Sequence, residues 1–167
     1  MATAHDPEMR SELVINRTFD APREKVFKAW TDCDRLMRWW GPRGFTAPAC
    51  HMDFHVGGKY LSSMRSPEGR EYWSTGRYRE IVAPKRLVMT DSFADEQGNV
   101  VSASYYGMSG DWPLEMQITV DFENDHGKTR LTLRHSGIEK IRVQDIDDMR
   151  HGWNESFDKL EESLKHA

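Results

Sequence analysis

The pattern of apolar and polar residues near the end of the chain predicts one long amphipathic helix, from about residue 145 to residue 165. Apolar side chains recur there at steps of three or four residues, which is the period of a helix with one buried face. They are Ile146, Met149, Trp153, Phe157, Leu160 and Leu164. Because most helix stability in proteins comes from packing such a face against other elements, we expect the rest of the chain to cover this helix.

Before this helix, apolar and polar residues mostly alternate, which predicts strands with one face on a core. The clearest case is 114–122, where every second residue is apolar. Strands are predicted at 13–19, 50–56, 59–66, 71–82, 86–91, 114–122 and 128–135. Two short helices are predicted between the first two strands, one beginning at Pro22 and one capped by Asp32.

This order of elements predicts an α+β fold, in which a curved antiparallel sheet of about six to seven strands wraps around the long C-terminal helix. We expect a disordered tail at residues 1–11 and a single domain at residues 12–167. The segment 93–113 is long, rich in glycine and contains a tyrosine pair. It is either a lid or pocket rim, or an irregular edge strand.

Composition excludes several classes of protein. The chain has 23 basic and 27 acidic residues, a net charge of −4, and no long run of either sign, which argues against a nucleic-acid-binding surface. There is no secretory signal and no apolar stretch long enough to span a membrane. We therefore expect a cytoplasmic protein whose two cysteines, Cys33 and Cys50, are packed, reduced thiols.

Several short motifs follow one another along the chain. They are 17–22 (RTFDAP), 39–42 (WWGP) followed by Gly44-Phe45, Gly57-Gly58, 67–69 (PEG), 78–82 (YREIV) and Gly152-Trp153. In this order they resemble the SRPBCC superfamily of START-like, helix-grip domains. Within it, the chain is most similar to the group named after the C-terminal domain of the activator of the heat-shock protein 90 ATPase, over roughly residues 12–165. The resemblance implies a helix-grip (START-like) fold.

A cavity between such a sheet and helix would be lined by inward-facing apolar and aromatic side chains, the usual lining of a small-molecule site. Tyr106 and Trp112 would join it from the segment 93–113. The predicted ligand-binding residues are Tyr60, Met64, Tyr78, Met89, Tyr106, Trp112, Met116, Ile118, His135, Trp153 and Phe157. Gly152, inside the predicted helix, indicates a close packing contact or an opening beside Trp153.

Catalytic chemistry has little support in the sequence. His135 is the polar exception on the inward face of its strand, and is either a ligand anchor, an acid or base, or a buried histidine bonded to a backbone carbonyl. His51 and His55 would lie about 13 Å apart along a strand, too far to share one ion. No nucleophile elbow or phosphate loop is present. We predict no catalytic residue, metal or cofactor.

The predicted cavity, surface and polar residues are compatible with three functions: ligand binding, protein binding and catalysis. The first is binding of a small apolar or aromatic molecule in the cavity. The second is a co-chaperone-like or stress-response module that binds a protein through an exposed apolar patch, for which Trp39, Trp40 and Trp112 are candidates. The third is a cyclase, hydrolase or lyase that uses His135 and a pocket tyrosine. We expect a monomer or a homodimer.

Overall fold

The computed structural model describes residues 12–166, so the tail predicted at 1–11 lies outside the described residues. The chain forms seven strands, two short helices after the first strand and a long C-terminal helix, which confirms the predicted α+β fold. In order, the elements are β1 Glu12–Phe19, α1 Arg23–Thr31, α2 Cys33–Leu36, β2 Thr46–Met52, β3 Lys59–Arg65, β4 Glu71–Val82, β5 Arg86–Ala94, a 3-10 helix Ala103–Tyr106, β6 Met116–Asp125, β7 Lys128–Ser136 and α3 Val143–Lys165.

All seven strands belong to one curved antiparallel sheet in the order β1-β7-β6-β5-β4-β3-β2. Strands β2 to β7 follow one another as neighbours, and β1 pairs with β7, from Glu12 opposite Ser136 to Phe19 opposite Thr129. Helix α3 leaves the sheet from β7 and lies across the face on which the alternating apolar residues point.

Helix α3 has two halves with different surroundings. Phe157, Leu160 and Leu164 in its second half are buried in the core, and Phe157 packs edge-on against Phe19 with ring centroids 5.8 Å apart. In its first half, the apolar residues of the same stripe are only half-buried. The helix therefore closes a filled core at one end and leaves space at the other.

The α1–α2 corner fills the core beside the second half of α3. Trp30 lies at its centre, with its ring 4.9 Å from the Trp39 ring and stacked 6.1 Å from the Trp153 ring. Trp39 is fully buried and its Nε1 donates a hydrogen bond to the carbonyl of Ala29 at 3.1 Å. The expectation that Trp39 belongs to an exposed apolar patch is therefore wrong.

The cysteines also differ from the expectation. Cys33, at the start of α2, and Cys50, in β2, form a disulfide with their Cα atoms 5.6 Å apart. The prediction of two reduced thiols is wrong, because the fold brings the corner of the two short helices directly against β2. Neither the 17-residue separation nor the local sequence indicated this contact.

Two of the predicted strands start two or more residues away from their predicted positions. The strand predicted at 50–56 is Thr46–Met52, because the chain turns after Met52: the Asp53 carbonyl accepts a hydrogen bond from the His55 amide at 2.9 Å. Gly58 lies so close to this turn that a Cβ would lie 1.8 Å from the Asp53 carbonyl oxygen. The strand predicted from residue 114 begins at Met116, where pairing with Asp91 of β5 starts, and Leu114 is exposed.

The segment 93–113 is a folded loop and not an edge strand. Apart from the end of β5, it contributes to the sheet only a single bridge between Ala94 and Val100. The Tyr106 side chain fixes the loop against the sheet, since its hydroxyl donates to the Ala94 carbonyl and accepts from the Trp73 amide. The remainder of the loop, including Trp112, then passes over the open end of the space below α3.

Candidate functional site

A cavity of about 500 Å³ lies between the sheet and the first half of α3. Its walls come from β3 to β7, the 41–45 loop, the folded loop after β5 and one face of α3. Its lining is mainly apolar and includes eight aromatic side chains, which are Trp40, Phe45, Tyr72, Trp73, Phe93, Tyr106, Trp112 and Trp153. Sheet strands supply the floor and the two loops the rim.

Six of the eleven predicted site residues line this cavity, namely Met64, Tyr106, Trp112, Met116, His135 and Trp153. The other five, Tyr60, Tyr78, Met89, Ile118 and Phe157, are buried in the core and do not line it. The alternation of apolar and polar residues along a strand identifies the face that points inward. It does not identify the end of the sheet at which the cavity lies. The five core residues lie on the correct face, at positions that other side chains fill.

Several lining residues were not predicted. Tyr72, Trp73 and Phe93 lie near the ends of β4 and β5, and Asp91 lies two residues after Met89, the last β5 residue predicted to face inward. The aromatic density of the sequence at 72–73 was a usable signal. Trp40 was considered only as a surface residue, whereas it is half-buried and packs edge-on against Trp153 at 5.5 Å.

His135 is held by the helix and not by a backbone carbonyl. The Nε1 of Trp153 donates a hydrogen bond to His135 Nδ1 at 3.2 Å. Because an indole nitrogen can only donate, Nδ1 must be the acceptor, and the ring carries its proton on Nε2. Nε2 lies 3.4 Å from Asp91 Oδ2, but the geometry does not form a hydrogen bond, and Nε2 is buried without a partner.

The cavity wall contains a second N–H group of this kind. The Nε1 of Trp112 is buried and has no hydrogen-bond acceptor among the described residues. An unpaired polar group out of contact with water costs on the order of 1–3 kcal/mol. Two residues of the cavity wall, His135 and Trp112, therefore each carry a buried N–H group without an acceptor among the described residues.

The charges at the cavity are acidic. Asp91 lies in the wall, and Asp145 and Asp148 lie on the α3 side. Asp145 accepts a hydrogen bond from Arg142 at 3.2 Å, and Asp148 accepts one from Gln144 at 3.2 Å. None of the described residues that line the cavity is a lysine or an arginine.

The buried tyrosines near the cavity stay protonated at neutral pH. Burial, and secondarily the neighbouring Asp91 charge, raises the pKa of Tyr60 well above its ordinary value, and burial raises that of Tyr78. The Tyr60 hydroxyl donates to the Thr90 carbonyl at 2.8 Å. Burial also raises the pKa of Tyr106. These hydroxyls support structure and are poorly suited to act as bases.

The rim formed by the 41–45 loop is tied to α3. Lys159 Nζ donates hydrogen bonds to the carbonyls of Gly41 and Phe45, both at 3.0 Å, and partial burial lowers its pKa. Pro42 lies against Gly152, at 3.5 Å from where a Cβ would be. Gly152 therefore contacts this loop at the cavity wall, in agreement with the first of the two alternatives, a packing contact.

Metal binding has no structural support within residues 12–166, since no three His, Cys, Asp or Glu side chains come together there. Nor does that part of the chain contain a helix with the length and apolar character needed to cross a membrane.

The fold resembles several solved bacterial structures. A protein from Arthrobacter aurescens, solved in solution, is 28% identical, with a TM-score of 0.79 over 97% of this chain and 90% of its own. A Nitrosomonas europaea protein is 23% identical, with a TM-score of 0.77 over 94% and 96% of the two chains. The AHSA1 protein from Silicibacter pomeroyi is 24% identical, with a TM-score of 0.72 over 93% and 98%. The last two, below 25% identity, support the fold alone.

None of the curated proteins matches the chain. A family model does: the model described as "Activator of Hsp90 ATPase homolog 1-like protein" covers residues 20–165, nearly the whole described chain. This agrees with the helix-grip architecture and with the SRPBCC superfamily, whose fold is in general a ligand-binding one. The chain therefore belongs to the family of activator of Hsp90 ATPase homolog 1-like proteins.

Proposed function

We propose that this protein binds a small, largely aromatic or apolar molecule in the cavity between the sheet and the first half of α3. The observation that carries the proposal is the unfilled volume of about 500 Å³ beside a filled core. Small-molecule sites usually measure 300–1,000 Å³ and have mostly apolar and aromatic walls with a few placed polar groups. The walls here have that composition.

Six side chains are proposed to contact the ligand, namely Met64, Tyr106, Trp112, Met116, His135 and Trp153. Aromatic rings supply large contact areas and prefer edge-on or offset packing against a planar ligand. The two methionines add flexible side chains that adapt to its shape. The hydrogen bond from Trp153 to His135 fixes both groups in the wall before any ligand enters.

The protein-binding alternative is less well supported. Trp39 is fully buried, and Trp40 and Trp112 are half-buried in the cavity wall. None of the three forms the exposed apolar patch that this alternative requires. Membership of the family therefore does not lead us to propose that this protein activates Hsp90.

The test is binding of N-phenyl-1-naphthylamine, a neutral dye whose fluorescence rises in apolar surroundings. We expect saturable binding of about one dye per chain. Gly152→Leu places a side chain on the cavity wall beside Pro42 and should weaken binding by about tenfold or more, which corresponds to about 1.4 kcal/mol. His151→Leu is the matched control, because His151 immediately precedes Gly152 in the helix, is exposed and lies outside the cavity.

Two results would contradict the proposal. One is the absence of saturable dye binding to the folded wild-type protein. The other is equal loss of binding in the Gly152 and His151 variants, which would place the dye on the helix surface.

A further inference from the structure

We propose that the ligand of this cavity is an aromatic or apolar amine that binds as a cation, with its ammonium group against the carboxylate of Asp91. The inference rests on the proposed function and names the chemical class of the ligand. It follows from three observations, which are the lack of a lysine or arginine partner for Asp91, the hydrogen bond that Trp153 donates to His135 Nδ1, and the absence of basic side chains among the described residues that line an aromatic cavity.

Asp91 is a mostly buried carboxylate without a cation. Its side chain is 18% exposed, and its polar neighbours are His135 Nε2 at 3.4 Å and the Tyr60 hydroxyl at 3.5 Å. By contrast, Asp121 on the neighbouring strand has the Arg86 guanidinium at 2.8 Å. A buried carboxylate is costly unless it is paired and hydrogen-bonded. Within residues 12–166, Asp91 has no arginine or lysine in salt-bridge distance.

His135 is not arranged to supply the missing positive charge. A protonated imidazole carries a proton on both nitrogens, whereas Trp153 already points its indole N–H at His135 Nδ1. A proton on Nδ1 would face that N–H at 3.2 Å and break the hydrogen bond. The contact with Trp153 therefore favours the neutral ring, and the charge of Asp91 remains available for a ligand.

The rest of the cavity also favours a cation. Aromatic faces attract cations within about 6 Å of the ring centroid, with tryptophan the strongest, and three tryptophans, Trp40, Trp112 and Trp153, belong to the cavity wall. The nearest basic side chains are engaged elsewhere and do not line the cavity. Arg70 lies over the Tyr72 ring and bonds the Tyr106 carbonyl, and Lys159 bonds the 41–45 loop.

The unpaired donors complete this description. His135 Nε2 and Trp112 Nε1 belong to residues of the cavity wall and are buried without acceptors among the described residues, so a small shift of either side chain would let it donate to a ligand oxygen. The matching molecule carries an amine for Asp91 and an ether, hydroxyl or carbonyl oxygen near it. A carboxylate ligand would instead meet Asp91 and Asp148, with no lysine or arginine among the described residues that line the cavity.

The test uses three ligands of matched shape, each with an ether oxygen: 2-(1-naphthyloxy)ethylamine, 2-(1-naphthyloxy)ethanol and (1-naphthyloxy)acetate. Isothermal titration calorimetry with the wild-type protein should give the amine an affinity about tenfold or more above that of the alcohol, with the acid weakest. In Asp91→Asn, the amine should lose this advantage, while the alcohol should bind within about threefold of wild type. Asp147→Asn is the control, because it removes the same charge from an exposed position of α3 outside the cavity.

The outcomes separate this inference from the proposed function. If the alcohol or the acid binds as well as the amine, the amine inference is overturned and cavity binding stands. The same holds if none of the three binds while the neutral dye does. If neither the three ligands nor the dye binds, both proposals fail. Should Asp91→Asn lose its folded circular dichroism spectrum, the ranking of the three ligands on the wild-type protein decides alone.

Discussion

Two glycines inside regular secondary structure differ in how strictly the surrounding structure requires glycine at their positions. At Gly76, in β4, a Cβ would lie 2.0 Å from the Thr90 carbonyl oxygen and 2.7 Å from the Tyr60 ring. At Gly152, in α3, the nearest group is Pro42 at 3.5 Å, an ordinary van der Waals contact. Backbone approach therefore demands glycine at the first position, while the second merely borders the cavity.

Alanine at these two positions should change stability in opposite directions. Gly76→Ala should lower the free energy of unfolding by about 2 kcal/mol or more, because strand atoms must move apart. Gly152→Ala should raise it by about 0.5–1 kcal/mol, because alanine is the better helix former and its Cβ has room. Urea unfolding of the two variants measures both changes. A stabilised Gly76→Ala protein would show that β4 and β5 are not packed as closely as described.

At the scale of elements, the cavity depends on how the α1–α2 corner and the 41–45 loop are held. The disulfide between Cys33 and Cys50 ties the start of α2 to β2, and Lys159 ties the loop that follows α2 to α3. The loop between these two attachments includes Trp40 and Pro42, which line the cavity. The rim is thus fixed from the sheet on one side and from the long helix on the other.

Removing the disulfide should lower stability. For a bond that closes a loop of this length, with the cysteines 17 positions apart, the loss of constraint on the unfolded chain corresponds to about 2–4 kcal/mol. The Cys33→Ser/Cys50→Ser double variant should show this loss in denaturant unfolding. Reductant should reproduce it in the wild type and leave the variant unchanged. Reaction of both cysteines with maleimide in denatured, unreduced protein would contradict the disulfide.

At the scale of the whole molecule, one sheet serves a filled core and a cavity, and the buried tyrosines lie in the filled part. Tyr60 and Tyr78 pack with ring centroids 5.8 Å apart, and burial raises the pKa of both. Because their hydroxyls ionise readily only in the unfolded chain, global stability is coupled to pH on the alkaline side.

Stability should therefore fall as pH rises above about 10, the ordinary tyrosine pKa. Below that pH, both states keep these protons and the contribution is constant. Above it, the unfolded chain loses protons that the folded protein retains, so each tyrosine adds a slope approaching about 1.4 kcal/mol per pH unit. Urea unfolding between pH 9 and pH 11, in wild type and Tyr60→Phe, should show a shallower decline for the variant. Equal slopes would mean that Tyr60 ionises in the folded state.

The sequence by itself determined the elements, the fold class and the inward face of each strand. Local backbone geometry sets the periods of helices and strands, so these periods can be recognised in the sequence. Accordingly, β4 has its predicted bounds, and α3 begins within two residues of its predicted start. The motifs along the chain also pointed to the correct superfamily. Three of the predicted site residues that line the cavity, Met64, Met116 and His135, were identified for the same reason, since they lie on the inward face of their strands.

Only the tertiary structure decided which part of that face is empty. Tyr60 and Met64 share an inward strand face, yet Tyr60 is in the core and Met64 is in the cavity wall. The difference depends on how far α1 and α3 reach over the sheet. The Cys33–Cys50 bond and the pairing of Trp153 with His135 likewise join residues from separate elements. Such contacts depend on the angles at which elements cross, and a one-dimensional pattern of polar and apolar residues does not contain those angles.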